Sequence, residues 1–156
     1  MSYLNVITLS AAKNYLRVDN GLTEDDARIT SMIKAVLSMI ERRTNVLVYA
    51  RSKSYLVRDY EVKVYDFPIN SLTSPDTAVA TEMELYTDYT TKLSTELKVV
   101  LNVGYADPLD VPAEIVECAL EYLKYLYYDS ETNSGASNKI PLYIEYMINQ
   151  QKRFII

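Results

Sequence analysis

Residues 101–120 read LNVGYADPLDVPAEIVECAL, and their reading decides the fold. Leu97, Val99, Leu101 and Val103 alternate with Lys98, Val100 and Asn102, the period-two pattern of a strand with one buried face. Gly104 ends that run, Pro108 shapes the loop, and Asp110 followed by Pro112 marks a helix start. Ile115, Val116, Ala119, Leu120, Leu123 and Leu126 then recur at helical spacing, to about Tyr128. One short stretch therefore passes from strand to helix through a loop with two prolines, and nothing in it is chemically reactive.

Upstream, Thr8 caps a short helix over 8–18 with Leu9, Ala12 and Leu16 on one face, and Asn20-Gly21 turns the chain. The segment TEDDARITSMIKAVLSMIERRT predicts a long helix over 23–44, with Ile29, Ile33, Val36, Leu37 and Ile40 in one stripe. Thr23 and Asp26 resemble a capping box, and the acids at the start and Arg42 and Arg43 at the end suit the helix dipole. Residues 46–105 change character. VLVYA, KSYLV, EVKVYDF, MELYT and ELKVVLNVGY are short, β-branched or aromatic, Pro68 and Pro75 punctuate them, and TDYTTKLST suits a hairpin tip.

Downstream of the helical run over 111–128, DSETNSGASN is a polar loop, and Pro141 opens a last helix over 141–149, followed by a tail, 150–156. The expectation is one domain, 1–156, of α+β class and predominantly α. It is a small bundle of about four helices (8–18, 23–44, 111–128 and 141–149) with a β-hairpin or small antiparallel sheet inserted over about 46–105.

At 156 residues, 49% apolar and 24% charged, the chain can build one core and has no disordered composition. No apolar run approaches the roughly 18 to 20 residues of a membrane span, so no membrane partner is expected. The opening MSYLNVITLS lacks a basic region before an apolar core and does not read as a signal peptide. The net charge of −5 is uneven: residues 1–60 carry nine basic and six acidic side chains, residues 61–110 three and nine. An acidic chain without a basic patch is a poor binder of phosphate backbones.

Candidate chemistry is sparse. Histidine is absent, which removes the commonest general base and metal ligand. Glu24, Asp25 and Asp26 are adjacent, point in different directions on a helix, and suit capping better than an ion. Glu114, Glu117 and Glu121 share a face that reads as a solvated helix side. Cys118, the lone cysteine, lies between apolar neighbours and reads as a small buried hydrophobe. No nucleophile elbow, P-loop or dinucleotide glycine pattern occurs. The reading assigns no catalytic, cofactor-binding or metal-binding residue, needs no cofactor, and expects no enzyme. It favours surfaces. Among 15 tyrosines, Tyr125 and Tyr128 are candidates to face another subunit, and the apolar end Phe154, Ile155 and Ile156 needs its own domain or a partner to cover it.

The order of these pieces resembles the head–tail connector (adaptor, or head-completion) proteins of long-tailed bacteriophages, some of them labelled DNA-packaging-like. The matching blocks are ITLSAAKNYLRVDNGLTEDDARITSMIKAVLSMIERRTN at 7–45 and VGYADPLDVPAEIVECALEYLKYLYYDSE at 103–131. They carry a T-L-x-x-A-K-x-x-L-R-V-D opening and a G-Y-x-D-x-x-D-V-P junction. The family often has tryptophan near the end of the third helix, where this chain has Leu126 and Tyr127, and residues 50–98 show no alignable pattern.

The resemblance implies a non-catalytic virion protein, made in the host cytoplasm. It would assemble as a ring, commonly of twelve copies, beneath the portal protein, extending the DNA channel and receiving the next neck or tail-completion protein. DNA would pass through without specific binding, and Glu82, Glu84 and Asp88 are candidates to face it. The alternative is a small helical DNA-binding or regulatory phage protein, which needs a basic reading helix that the sequence does not display.

Overall fold

Three apolar stripes meet in one core. The computed structural model describes residues 2–57, 61–74, 79–82, 87–90, 98–132 and 140–152, with the backbone alone at 61, 74, 79–82, 87–90 and 129–132. Its helices are α1 (Tyr3–Val6), α2 (Leu9–Leu16), α3 (Asp26–Thr44), α4 (Ala113–Thr132) and α5 (Leu142–Gln150). Its strands are β1 (Arg51–Leu56), β2 (Glu61–Val64), β3 (Ile69–Ser74), β4 (Val79–Glu82), β5 (Thr87–Thr90) and β6 (Lys98–Val103), and a 3-10 turn covers Pro108–Asp110. The class is α+β with helix predominant.

In α3 the stripe Ile29, Ile33, Val36, Leu37 and Ile40 is buried, as its spacing requires. It packs against Ile115, Cys118, Ala119, Leu123 and Tyr127 of α4, Ile144 and Ile148 of α5, and Ala12 and Leu16 of α2. Thr8 caps α2 by accepting a hydrogen bond from the Ala11 amide (3.1 Å). The start of α3 departs from the capping-box expectation: its N-cap is Asp25, with no side-chain cap bond. The two acids there are drawn to tertiary partners instead. Asp26 accepts from Lys13 (2.8 Å), and Asp25 accepts from the Tyr127 hydroxyl (2.7 Å). The four-residue α1 was not legible as a helix, because it is too short to show a period.

The β region forms two antiparallel three-stranded sheets, ordered β1-β6-β3 and β2-β5-β4. In the first, β6 is central. Tyr55 pairs with Val99, Lys53 with Leu101 and Arg51 with Val103, and β3 meets its other edge with two register shifts. Val99, Leu101 and Val103 are fully buried, on the face their alternation predicts, and gather Leu47 and Val64 into a small second core.

The segment after α3 divides the two cores. Val46 and Val48 belong to the helical core and Leu47 to the sheet core. This is period-two alternation in a stretch that makes a single parallel bridge, Val46 to Phe67. The second tie is the strand-to-helix junction. Gly104 has φ +103°, and a Cβ there would lie 2.1 Å from the Tyr49 carbonyl oxygen, so both the turn and the close approach demand glycine. Its amide donates to the Pro68 carbonyl (2.7 Å), and the Tyr105 amide to that of Leu47 (3.3 Å). The capping carboxylate here is Asp107, which accepts from the Leu109 amide (2.9 Å). Asp110 instead ends the 3-10 turn, and the first turn of α4 closes on the Pro112 carbonyl.

Candidate functional site

The buried ions come first, because buried charge marks either chemistry or architecture. Glu41, on α3 and 3% exposed, accepts from four donors: the Tyr3 hydroxyl (2.7 Å), the Val48 amide (2.9 Å) and the two guanidinium nitrogens of Arg51 (3.1 and 2.8 Å). Burial disfavours the Arg51 cation, but the Glu41 bonds outweigh this and raise its pKa. Lys13, 2% exposed, donates to Asp26 and to the carbonyls of Asn20 and Leu22, so its three protons stitch the turn between α2 and α3. Both groups are saturated by structural partners. Among the described residues no set of three or more His, Cys, Asp or Glu is placed to hold a metal ion. Cys118 is 1% exposed, and burial pushes its thiol up to about 11, which suppresses the thiolate.

The acidic face of α4 is partly engaged. The Tyr15 hydroxyl lies 2.6 Å from Glu121 and 3.0 Å from Glu117, and its one proton serves one carboxylate at a time. Burial, then the bonds to Glu121 and Glu117, raise the Tyr15 pKa. Glu114 and Glu117, both exposed, line a groove between α4 and α5.

The structure places the two tyrosines expected at a subunit surface in separate depressions. Tyr125 stacks on Tyr122 (centroids 6.4 Å apart, planes at 14°) in a hollow that also takes in Arg43, Leu142 and Glu145. Tyr128, 44% exposed, crosses to α2 and donates to the Leu16 carbonyl (2.6 Å) beside Arg17 and Lys124. Of the acids read as channel-facing, Glu82 lies on β4 paired with Thr87, and Asp88 on β5 paired with Thr81 and Lys63. Glu84, Phe154, Ile155 and Ile156 lie outside the described residues.

The face that the sequence reading missed is on α5. Leu142 is 83% exposed, Tyr143 53% and Tyr146 65%, while Ile144 and Ile148 are fully buried. The signal was in LYIEYMIN, residues 142–149. Once Ile144 and Ile148 are set inward, Leu142, Tyr143 and Tyr146 fall outward at helical spacing. An apolar and aromatic stripe of this kind on a surface helix is typical of contact surfaces.

No protein-family model matches the chain, and no curated protein matches it. Among solved structures its fold recurs in chains from gene transfer agent (GTA) particles. A chain from the neck of an empty GTA particle computed with C6 symmetry has a TM-score of 0.72 at 15% identity, over 97% of this chain and 91% of that chain. A chain from the virion of a native gene transfer agent (GTA) particle has a TM-score of 0.74 at 13% identity, over 100% and 94%. A third, from the neck of a native GTA particle computed with C12 symmetry, has a TM-score of 0.64 at 13% identity, over 96% and 93%. At this identity the likeness is one of fold, and it embraces the helical body and the β region together.

Proposed function

We propose that this chain is a structural subunit of the neck of a phage-like particle. Copies of it form a ring below the portal, extend the DNA channel and join head to tail. The observation that carries the reading is the near end-to-end match to chains from gene transfer agent necks, at TM-scores of 0.72 and 0.64. Those necks were computed with six-fold and twelve-fold symmetry, which accords with a ring of repeated copies. The role is architectural, and the saturated bonding of Glu41 and Lys13 fits it. Both residues hold elements together and present no open coordination.

A closed ring needs two unlike side surfaces on each subunit. The outward stripe Leu142, Tyr143 and Tyr146 supplies one, with Tyr125 in the hollow beside Leu142. Tyr128, beside Arg17 and Lys124, supplies a second of different chemistry. The tail reaches a neighbour or the portal once assembly begins. The β region carries the excess of acid, and Glu82, Glu84 and Asp88 are assigned to the channel side, where like charge keeps DNA from adhering.

Electron microscopy of the purified protein mixed with its portal tests the reading. A ring stacked on the portal with matching symmetry is expected. Portal particles that stay bare at saturating protein would overturn it. Reversal of all three channel acids should then retard DNA release from assembled particles, and unchanged release removes the channel assignment alone.

A further inference from the structure

A groove opens between the start of α4 and the end of α5. It encloses about 440 Å³ and is walled by Ala113, Glu114 and Glu117 on one side and by Met147, Gln150 and Gln151 on the other. Its chemistry is mixed: Met147 and Ala113 are apolar, and Glu114 and Glu117 bring two carboxylates. The volume falls within the range of about 300 to 1,000 Å³ typical of pockets that hold compact ligands.

We infer that in the isolated subunit this groove holds the segment that follows Lys152, residues 153–156. The sequence there is Arg-Phe-Ile-Ile, one cation followed by three large apolar side chains. The groove offers the complement in both respects, carboxylates for Arg153 and apolar wall for Phe154 and the isoleucines. Reach is not limiting. Gln150 and Gln151 already form one wall, and each further residue extends the chain by roughly 3.5 Å. Tethering also places the segment at an effective concentration of about millimolar, so a weak contact suffices to fill the groove.

A free subunit then keeps its Phe-Ile-Ile covered, which removes an exposed apolar end. Any partner that takes the tail must displace it, and the same step uncovers the groove. Tail capture and groove exposure become one event. This docking does not depend on the neck reading, since it concerns the subunit alone.

Amide hydrogen exchange of Phe154, Ile155 and Ile156 in the full-length protein tests it, against a synthetic peptide of residues 150–156 as the undocked reference. Exchange in the protein should be slower by at least about 10-fold, the same at every protein concentration. Glu114→Lys should return the three amides toward the peptide rate, and so should Arg153→Glu. The two together should restore protection, which a general loss of structure would not. Peptide-like exchange in the wild-type protein overturns the inference. Protection that rises with protein concentration assigns the groove to the tail of a second copy and overturns it as well. Protection indifferent to both charge reversals places the tail elsewhere on the subunit, and the groove assignment fails.

Discussion

The helical body and the β region of this chain are stabilised on different scales. Among the described residues the body buries a core of eighteen side chains drawn from four helices and their connections, while the sheet around β6 gathers five. The body is also locked by two buried ions, Glu41 and Lys13, each bonded to chain well removed from it in sequence. The sheet has its ion pair near the surface instead, where Lys53 donates to Asp66 (2.6 Å) and Tyr55 joins the same oxygen (2.5 Å). The difference teaches a division of labour. A rigid body carries a lighter β region, and the two meet where Val46, Leu47 and Val48 alternate between cores and where Gly104 passes against Tyr49.

The sharpest way to break this comparison is to truncate one core at a time. Ile33→Ala should cost about 4 kcal/mol and lower protection of every helix. Leu101→Ala should cost about 3 kcal/mol and lower protection mainly in β1, β3 and β6. Both are read by denaturant unfolding with residue-resolved hydrogen exchange. If the two variants lose protection in the same amides, the body and sheet are one cooperative unit and the comparison fails.

Glu41→Ala comes next. It leaves the Arg51 cation, the Val48 amide and the Tyr3 hydroxyl without their shared acceptor and should cost about 3 kcal/mol. Glu41→Gln keeps one acceptor and should cost less. Equal losses in the two variants would show that the carboxylate's charge, and not the packing of the side chain, carries the whole effect.

Gly104→Ala tests the junction itself. The added Cβ meets the Tyr49 backbone and the residue must keep a positive φ, so a loss of about 2 to 3 kcal/mol is expected by thermal or urea unfolding. A neutral outcome would mean that the sheet can shift on the body without cost.

The smallest effect lies at high pH. Burial pushes Cys118 from 9.0 to about 11, and burial with the Glu121 and Glu117 bonds raises Tyr15 above 10.0. Burial likewise leads the upward shifts of Tyr3, Tyr122 and Tyr143. Each folded-state value lies above the unfolded one. The neutral forms therefore contribute stability that is whole below the unfolded value and drains as pH rises through the folded one. The unfolding midpoint should decline from about pH 9 upward, and Tyr15→Phe should make the decline shallower above pH 10. A midpoint flat through pH 11 would contradict these shifts.

What could be read in advance tracks periodicity. The α3 stripe, the α4 stripe and the buried face of β6 each repeat over enough residues to declare themselves; the α3 stripe, Ile115, Ala119 and Leu123 of α4, and Val99, Leu101 and Val103 of β6 are buried as read, while Val116, Leu120 and Leu126 are half-buried. Glu41 was invisible because one carboxylate on an apolar helix gives no sign that Tyr3, Val48 and Arg51 will converge on it. Asp26 misled for the opposite reason. Its local role as a capping residue was plausible, and a lysine thirteen residues earlier took it. The outward stripe of α5 was present in the sequence but carried no meaning until Ile144 and Ile148 were fixed inward.

The sequence alone thus determined which of the longer segments are helix or strand, which faces are apolar, and that a strand gives way to a helix after Gly104. These follow from short-range sterics and from the hydrophobic effect acting on a regular period. Tertiary structure alone decided which charges are buried and by what they are satisfied, which tyrosines are spent inside the subunit, and which surfaces remain for partners. Those outcomes depend on side chains brought together from distant parts of the chain, where low local polarity makes each missing partner costly and each found partner decisive.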